Sequence, residues 1–126
     1  MSVLDAQFAE LQTRCPPASL TRLGSGAYLI TVPDYELPAG WSRPKTTIKF
    51  IAPVGFPMAK PDCFWADQDL RVVGSAGIPQ NCGHNLIPEV GTPQLWFSWH
   101  VATWNPNADT LLTYFRVIER RLFEIR

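Results

Sequence analysis

Hydrophobic side chains recur at helical spacing near the amino end of the chain. Leu4, Phe8 and Leu11 stand at positions i, i+4 and i+7, so they fall on one face of a helix. The pattern predicts an amphipathic helix over residues 4–14 whose apolar face packs against a sheet. Two prolines follow this stretch and end the helix, because proline has no amide donor and restricts the residue before it.

The carboxyl end shows the same spacing over a longer stretch and predicts a second helix. Its apolar face consists of Leu111, Phe115, Ile118, Leu122 and Ile125. Asn105 or Asn107 is the expected cap, with Pro106 in the first turn. Basic residues in the last turns suit the negative end of the helix dipole, and we expect Arg120 and Arg121 to be a solvated pair.

Between the helices, β-branched and alternating residues predict strands. Residues 27–32 follow a Gly-Ser-Gly turn, residues 45–51 alternate in polarity, and residues 63–65 form a third short stretch. Prolines and glycines in the connections favour turns between neighbouring strands. The sequence therefore predicts an α+β fold: an N-terminal helix, an antiparallel β-meander, a long irregular segment and a C-terminal helix.

The long segment over residues 66–103 lacks clear periodicity and is rich in glycine and proline. Connections of more than about 12–15 residues without regular structure are commonly functional or disordered. Trp96, Phe97 and Trp99 need burial, which favours a structured and chemically important loop. We expect Trp96, Trp99 and Trp104 to pack between this segment and the final helix.

Composition narrows the possible classes of function. The 126 residues are enough for one domain, residues 1–126, with its own hydrophobic core. Lysine plus arginine and aspartate plus glutamate balance at 11 each, so no excess of positive charge attracts nucleic acid. No run of about 18 apolar residues occurs, so we expect no membrane span.

Three cysteines, Cys15, Cys63 and Cys82, stand far apart along the chain. Their odd number and wide spacing argue against a disulfide framework and for a reducing compartment. The first residues lack a basic segment followed by an apolar one, so they do not have the pattern of a secretory signal. We therefore expect a cytoplasmic protein.

Two segments make the chain similar to a known superfamily. Residues 55–65, Gly-Phe-Pro-Met-Ala-Lys-Pro-Asp-Cys-Phe-Trp, resemble the proline-rich turn and strand of E2 ubiquitin-conjugating enzymes. Cys82 follows at about the interval of the E2 catalytic cysteine. Residues 104–106, Trp-Asn-Pro, resemble the tryptophan-x-proline that precedes the second helix of an E2. The resemblance implies a UBC-like fold, with the irregular segment as the active-site segment.

More narrowly, the sequence resembles a bacterial group, prokaryotic E2 family E. The similarity rests on residues 37–40 (Leu-Pro-Ala-Gly), residues 61–65 and residues 96–100 (Trp-Phe-Ser-Trp-His). Members of this group tend to lie beside genes for E1-like, ubiquitin-like and deubiquitinase-like proteins. The resemblance implies a bacterial antiphage operon, and as partners a ubiquitin-like protein, an E1-like activating enzyme and a protein target. No cofactor or metal is expected.

Cys82 is the expected acceptor thiol. It lies in a polar segment with glycine and asparagine neighbours, where the tail of a protein can approach. Cys63 stands in a strand-like run and is expected to be buried as a small hydrophobic residue, and Cys15 precedes two prolines. The resemblance implies an enzyme that carries a ubiquitin-like protein as a thioester on Cys82 and transfers it to an amine.

Transfer builds negative charge on the thioester oxygen, which a preorganised donor stabilises. E2 enzymes use the asparagine of a His-Pro-Asn tripeptide for this, and the chain has no such tripeptide. The candidates here are Asn81, His84, Asn85 and His100, and either histidine could instead only hold the loop in place. His84 is two residues from Cys82, so both side chains would share one side of an extended segment.

Three other functions fit the same residues. Cys63, Cys82, His84 and His100 have the ligand types of a zinc site, although they lack the close pairs that structural sites usually show. A cysteine hydrolase would use Cys82 with His84 or His100 as its base, but no protease signature surrounds the cysteine. The main alternative is a catalytically inactive E2-like domain that only binds a ubiquitin-like protein or another partner.

Overall fold

The computed structural model describes residues 2–91 and 93–126. These residues form an antiparallel sheet and two helices. The helices are α1 (Val3–Arg14) and α2 (Leu111–Phe123). The strands are β1 (Ser19–Arg22), β2 (Tyr28–Glu36), β3 (Lys45–Ala52), β4 (Phe64–Ala66), β5 (Cys82–Leu86) and β6 (Pro93–Phe97). They lie in the order β1-β2-β3-β4-β6-β5, and each neighbouring pair is antiparallel. The predicted α+β class is confirmed.

The main hydrophobic core lies between one face of the sheet and the two helices. Leu11 of α1 and Phe115 and Ile118 of α2 are fully buried there beside Ile48 and Phe50 of β3. Alternate residues of β3 are buried because successive side chains of a strand point to opposite faces. Neither helix in the described residues is long and apolar enough to cross a membrane.

Both helices begin at a capping box. The Ser2 hydroxyl accepts the Asp5 amide at 3.1 Å, and α1 then covers the predicted residues 4–14. The second helix begins after Thr110, so the prediction of an Asn105 or Asn107 cap was wrong. Residues 105–109 form a separate turn instead, because the Asn105 amide donates to the Asp109 carboxylate at 2.7 Å.

The segment over residues 66–103 contains a β-hairpin, so the prediction of a wholly irregular segment was wrong. Strands β5 and β6 pair along their length, with Cys82 opposite Phe97. The hairpin joins the sheet through β4, where the rings of Phe64 and Phe97 stack with centroids 4.4 Å apart. Burial of Leu95 and Phe97 holds β6 in place, whereas β5 has few of the residue types that are typical of strands.

The first half of the sheet is also more extensive than predicted. Strand β1 is mostly exposed, and its side chains lack the alternation that marks a half-buried strand. Strand β2 continues beyond residues 27–32 through a register shift between Val32 and Tyr35. Asp34 has φ 54° at this bulge, a left-handed conformation that aspartate tolerates better than most residues.

A smaller hydrophobic cluster covers part of the other face of the sheet. Its buried members are Leu23, Ala27, Leu29, Trp65 and Ile87. Trp96 packs against this cluster, so the expectation that it faces the final helix was wrong; the alternation of β6 turns it away. Trp99 and Trp104 do pack on the main core, and Trp104 Nε1 donates to the carbonyl of Pro57 at 2.8 Å.

Candidate functional site

Cys82 is the first residue of β5, the strand at the edge of the sheet. Its partner in the register is Phe97, which belongs to the main core. The Cys82 side chain packs against this core and remains half-buried, while the rest of β5 becomes exposed from His84 onward. The thiol therefore lies at the boundary between the core beneath α2 and solvent.

The outer edge of β5 carries backbone groups that do not bond to β6. The Ser98 amide donates to the Asn81 carbonyl at 2.9 Å, which makes these two residues a hydrogen-bonded pair of the antiparallel ladder. Bonded pairs recur at every second residue, so Cys82, His84 and Leu86 occupy the non-bonded pairs between them. Their amide and carbonyl groups point away from β6, toward the open side of the strand.

The Cys82 thiol is protonated at neutral pH. Its Sγ–H donates to the carbonyl of Gln80 at 3.3 Å. Burial raises the pKa of Cys82 to about 11, and the positive charges of Arg121 and Arg71 only partly oppose this effect. A thiol in this state is a weak nucleophile until it loses its proton.

Arg121, on the last turn of α2, is fully buried, so the expectation of a solvated arginine pair was wrong for this residue. Its guanidinium donates to three backbone carbonyls, those of Glu124, Gln80 and Arg126, each at 2.8 Å. These bonds compensate much of the cost of removing a charge from water. Arg120, the neighbouring residue, is exposed as expected.

The same guanidinium lies close to two aromatic rings and to the candidate thiol. Its carbon is 5.1 Å from the centroid of Phe97 and 5.4 Å from that of Trp99. Burial raises the pKa of Cys82, the charge of Arg121 lowers it, and the two side chains donate to the same Gln80 carbonyl. The buried Nε of Arg121 has no hydrogen-bond acceptor among the described residues.

The sequence contained an indication that Arg121 is buried, but this indication was ambiguous. Arg121 follows Tyr114 by seven positions and Ile118 by three, which places it on the flank of the buried face of α2. An arginine at a helix end is nevertheless mostly exposed, and nothing local indicates that Gln80 and Cys82 approach it from another part of the chain.

The two candidate histidines bond to groups other than the thiol. His84 lies on the same face of β5 as Cys82, and its Nε2 donates to the Gln68 carbonyl at 3.1 Å. It lines an open polar groove together with Asp67, Gln68, Asp69, Arg71 and Gln94. His100 follows β6, and its Nδ1 donates to the Asp62 carbonyl at 2.6 Å and lies 3.0 Å from the Asp62 carboxylate.

The two candidate asparagines flank the thiol along the chain. Asn81 immediately precedes Cys82 in a left-handed conformation with φ 61°, and it is exposed. Asn85 is exposed on β5, and strand alternation turns it to the face opposite Cys82. Asn81 and His84 are thus near Cys82 because they are its neighbours in sequence, whereas the fold brings Arg121 to the Gln80 carbonyl that the thiol also uses.

The other residues considered for chemistry do not assemble around Cys82. Cys15 is buried and Cys63 is half-buried, and burial raises the pKa of both thiols. In the part of the chain that the structure describes, no three His, Cys, Asp or Glu side chains come together as metal ligands. Cys63, Cys82, His84 and His100 therefore do not form the zinc cluster considered from the sequence.

The antiparallel sheet, the helices on one face and the cysteine at the sheet edge are consistent with an α+β domain of the E2-like class. Residues 21–124 match the family described as Prokaryotic E2 family E, and the chain belongs to this family. The resemblance identified from the sequence is thereby confirmed. The family implies, in general terms, an E2-like role with ubiquitin-like proteins and E1-like enzymes. No curated protein and no solved structure matches the chain significantly.

Proposed function

We propose that the protein is an E2-like conjugating enzyme with a UBC-like fold that carries a ubiquitin-like protein on Cys82. The observation that supports this most directly is the position of Cys82, half-buried at an open sheet edge, in a chain of the prokaryotic E2 family E. The partners would be an E1-like activating enzyme, the ubiquitin-like protein and a protein target. Asn81, His84, Asn85 and His100 remain candidates for stabilising the oxyanion.

The reaction has two acyl transfers. In the first, the Cys82 thiol loses its proton to solvent and Sγ attacks the thioester carbonyl on the E1-like enzyme. A new C–S bond forms as the old one breaks, and the E1 cysteine leaves as a thiolate. In the second, a target amine attacks the carbonyl, an amide forms, and the electron pair of the broken C–S bond returns to the Cys82 sulfur.

A loading experiment tests the proposal. The protein is incubated with ATP, the E1-like protein encoded nearby and its ubiquitin-like partner, and adducts are separated with and without reducing thiol. We expect an adduct that thiol removes, that Cys82→Ala abolishes and that Cys63→Ala leaves intact. Cys82→Ser should give an ester that resists thiol, because an oxygen ester does not exchange with thiols as a thioester does.

Two results of the loading experiment would contradict the proposal. The first is an adduct that persists in Cys82→Ala. The second is the absence of any adduct when the E1-like protein is shown to form its own thioester. Cys63→Ala serves as the matched control, because Cys63 is also half-buried and its pKa is also raised by burial.

The open edge of β5 provides a path for the tail of the ubiquitin-like protein. An extended tail can pair with the outward amides of Cys82, His84 and Leu86 and bring its terminal carbonyl to the thiol. Leu86 is more than half exposed, so its side chain contributes little to the core.

Replacing Leu86 by proline is therefore expected to slow loading about tenfold, because proline removes an outward amide donor and no bond to β6. Leu86→Ala, which keeps that amide, should load at nearly the wild-type rate. Initial rates of adduct formation measure both. Equal rates in the proline and alanine variants would show that the tail does not pair with this edge.

The second candidate function is binding without catalysis. It is favoured by the half-buried position of Cys82, because burial raises the pKa of the thiol to about 11 and leaves it unactivated in the free protein. In this case the domain would bind the ubiquitin-like protein without an adduct, and Cys82→Ala would preserve its function in cells. If the protein is a conjugating enzyme, Cys82→Ala should abolish its function in cells.

The cellular context belongs to the same proposal. We place the protein in the cytoplasm of a bacterium, in an antiphage operon with genes for the E1-like and ubiquitin-like partners. The three free cysteines are compatible with a reducing compartment. Sequencing of the flanking genes tests this, and neighbours without an E1-like or ubiquitin-like product would contradict it.

A further inference from the structure

We propose that Arg121 is the residue that stabilises the thiolate of Cys82, both as the nucleophile during loading and as the leaving group during transfer. The guanidinium is fully buried, has one donor without an acceptor among the described residues, and shares the Gln80 carbonyl with the Cys82 thiol, the reacting group in the proposed reaction. The catalytic meaning of this pairing rests on the proposed function, but the pairing itself can be tested without any partner protein.

The shared contact with Gln80 fixes the arrangement. The Cys82 Sγ–H and the Arg121 Nη2–H both donate to the same Gln80 carbonyl, at 3.3 and 2.8 Å. When the thiol loses its proton, its bond to this carbonyl is lost as well. The remaining thiolate then lies beside a cation that still holds the carbonyl, and it can accept a hydrogen bond from the guanidinium.

The unsatisfied Nε of Arg121 is the second observation. A buried donor without an acceptor costs about 1–3 kcal/mol, so such groups in folded proteins call for an explanation. A thiolate or another anion at the position of the Cys82 sulfur would give the guanidinium an additional acceptor. Since Arg121 is shielded from solvent, it acts on the sulfur, and the oxyanion on the solvent side needs a different donor.

Other charges around the pair do not replace Arg121. Arg71 also lowers the pKa of Cys82, but its contribution is smaller than that of Arg121. Burial lowers the pKa of Arg121, and the charges of Arg126 and Glu124 act on that pKa with opposite signs. The larger of the two positive influences on the thiol therefore comes from α2, and its guanidinium lies over the aromatic rings of Phe97 and Trp99.

The consequence for transfer follows from the chemistry of the leaving group. When an amine attacks the thioester, the C–S bond breaks, its electron pair remains on Sγ, and the extra proton of the amine goes to solvent. A cation beside the sulfur stabilises the developing thiolate and accelerates its departure. The same cation increases the fraction of thiolate available for loading.

The test is the pH dependence of Cys82 alkylation by iodoacetamide, followed by mass spectrometry of the Cys82 peptide. We expect Arg121→Gln to move the midpoint upward by about one pH unit and to lower the rate near neutral pH several-fold. Arg121→Lys should restore most of the rate, because it keeps the charge. Arg120→Gln, the exposed neighbour on α2, should behave as wild type.

If Arg121 has only a structural role, its replacement should change the rate of Cys82 alkylation in the opposite direction. Loss of its bonds to Gln80, Glu124 and Arg126 would loosen the end of α2, expose the thiol and accelerate alkylation in both Arg121 variants. A folded Arg121→Gln protein with an unchanged or lower midpoint would overturn the proposal. Cys63, read in the same digests, reports any general change in accessibility.

A second measurement uses the wild-type protein and does not depend on the stability of a variant. The carbon-detected 15Nε resonance of Arg121 should shift with pH at the midpoint found for Cys82 alkylation, and Cys82→Ser should abolish this shift. A resonance that does not move through the Cys82 titration would overturn the pairing. Failure of the loading experiment with a clear Arg121 effect would instead reject the conjugating function and leave the pairing intact.

Discussion

Replacing Phe97 by alanine is expected to lower the free energy of unfolding by about 3–5 kcal/mol, the usual cost of truncating a buried phenylalanine. Phe97 is fully buried, and its ring stacks on Phe64 with centroids 4.4 Å apart. It also forms one of the two aromatic faces around the Arg121 guanidinium. The substitution would leave a cavity beneath Cys82 and remove part of the cover of a buried charge.

Equilibrium unfolding in urea measures this loss. Phe123→Ala is the matched control, since Phe123 is the same residue type near the same end of α2 but is 64% exposed. It should change the free energy of unfolding by no more than about 0.5 kcal/mol. Because domains of this size are stable by only about 5–15 kcal/mol, the Phe97 loss should be large and obvious. Equal midpoints and slopes for the two variants would contradict the packing described above.

Cys82 of the native protein is expected to react with iodoacetamide at least about tenfold more slowly at pH 7.5 than the same cysteine in unfolded protein. Burial raises the pKa of Cys82 from 9.0 to about 11, which lowers the fraction of thiolate about 100-fold. The more basic thiolate is about tenfold more nucleophilic, which recovers part of the loss. Timed alkylation in buffer and in urea, with mass spectrometry of the Cys82 peptide, measures the ratio.

The pH profile provides an independent check. The native rate should keep rising up to about pH 10, because the thiol is still mostly protonated there. The raised pKa also means that protonated Cys82 favours the folded state below about pH 9, and this contribution is lost as the pH rises through 11. A rate that reaches its plateau below pH 9 in folded protein would show that the thiol is not desolvated as described.

The hydrophobic pattern within a short stretch of sequence was sufficient to predict α1, β3 and the body of α2. The spacing of Leu4, Phe8 and Leu11 predicted α1, and the alternation over residues 45–51 predicted β3, because helical and strand periodicity record which side faces a core. The body of α2 followed in the same way. The start of α2 was not predicted correctly, because a turn over residues 105–109 competes with the helix for the same capping groups.

The β5–β6 hairpin could not be predicted from local pattern. Strand β5 consists of Cys-Gly-His-Asn-Leu, and glycine and asparagine are depleted in strands. It becomes a strand because β6 pairs with it, and β6 is held by the stacking of Phe97 on Phe64 of β4. This stabilisation comes from residues distant in sequence, so periodicity within the segment over residues 66–103 cannot reveal it.

The sequence by itself determined the α+β class, the family and the choice of Cys82 as a candidate, which remains a prediction. Those conclusions rest on composition, short periodic patterns and motifs, all of which are local. Only the tertiary structure decided what surrounds the thiol. It placed Arg121 of α2 and Cys82 of β5 on the same Gln80 carbonyl. Burial then set the charge state of the thiol, because desolvation depends on how completely distant segments exclude water.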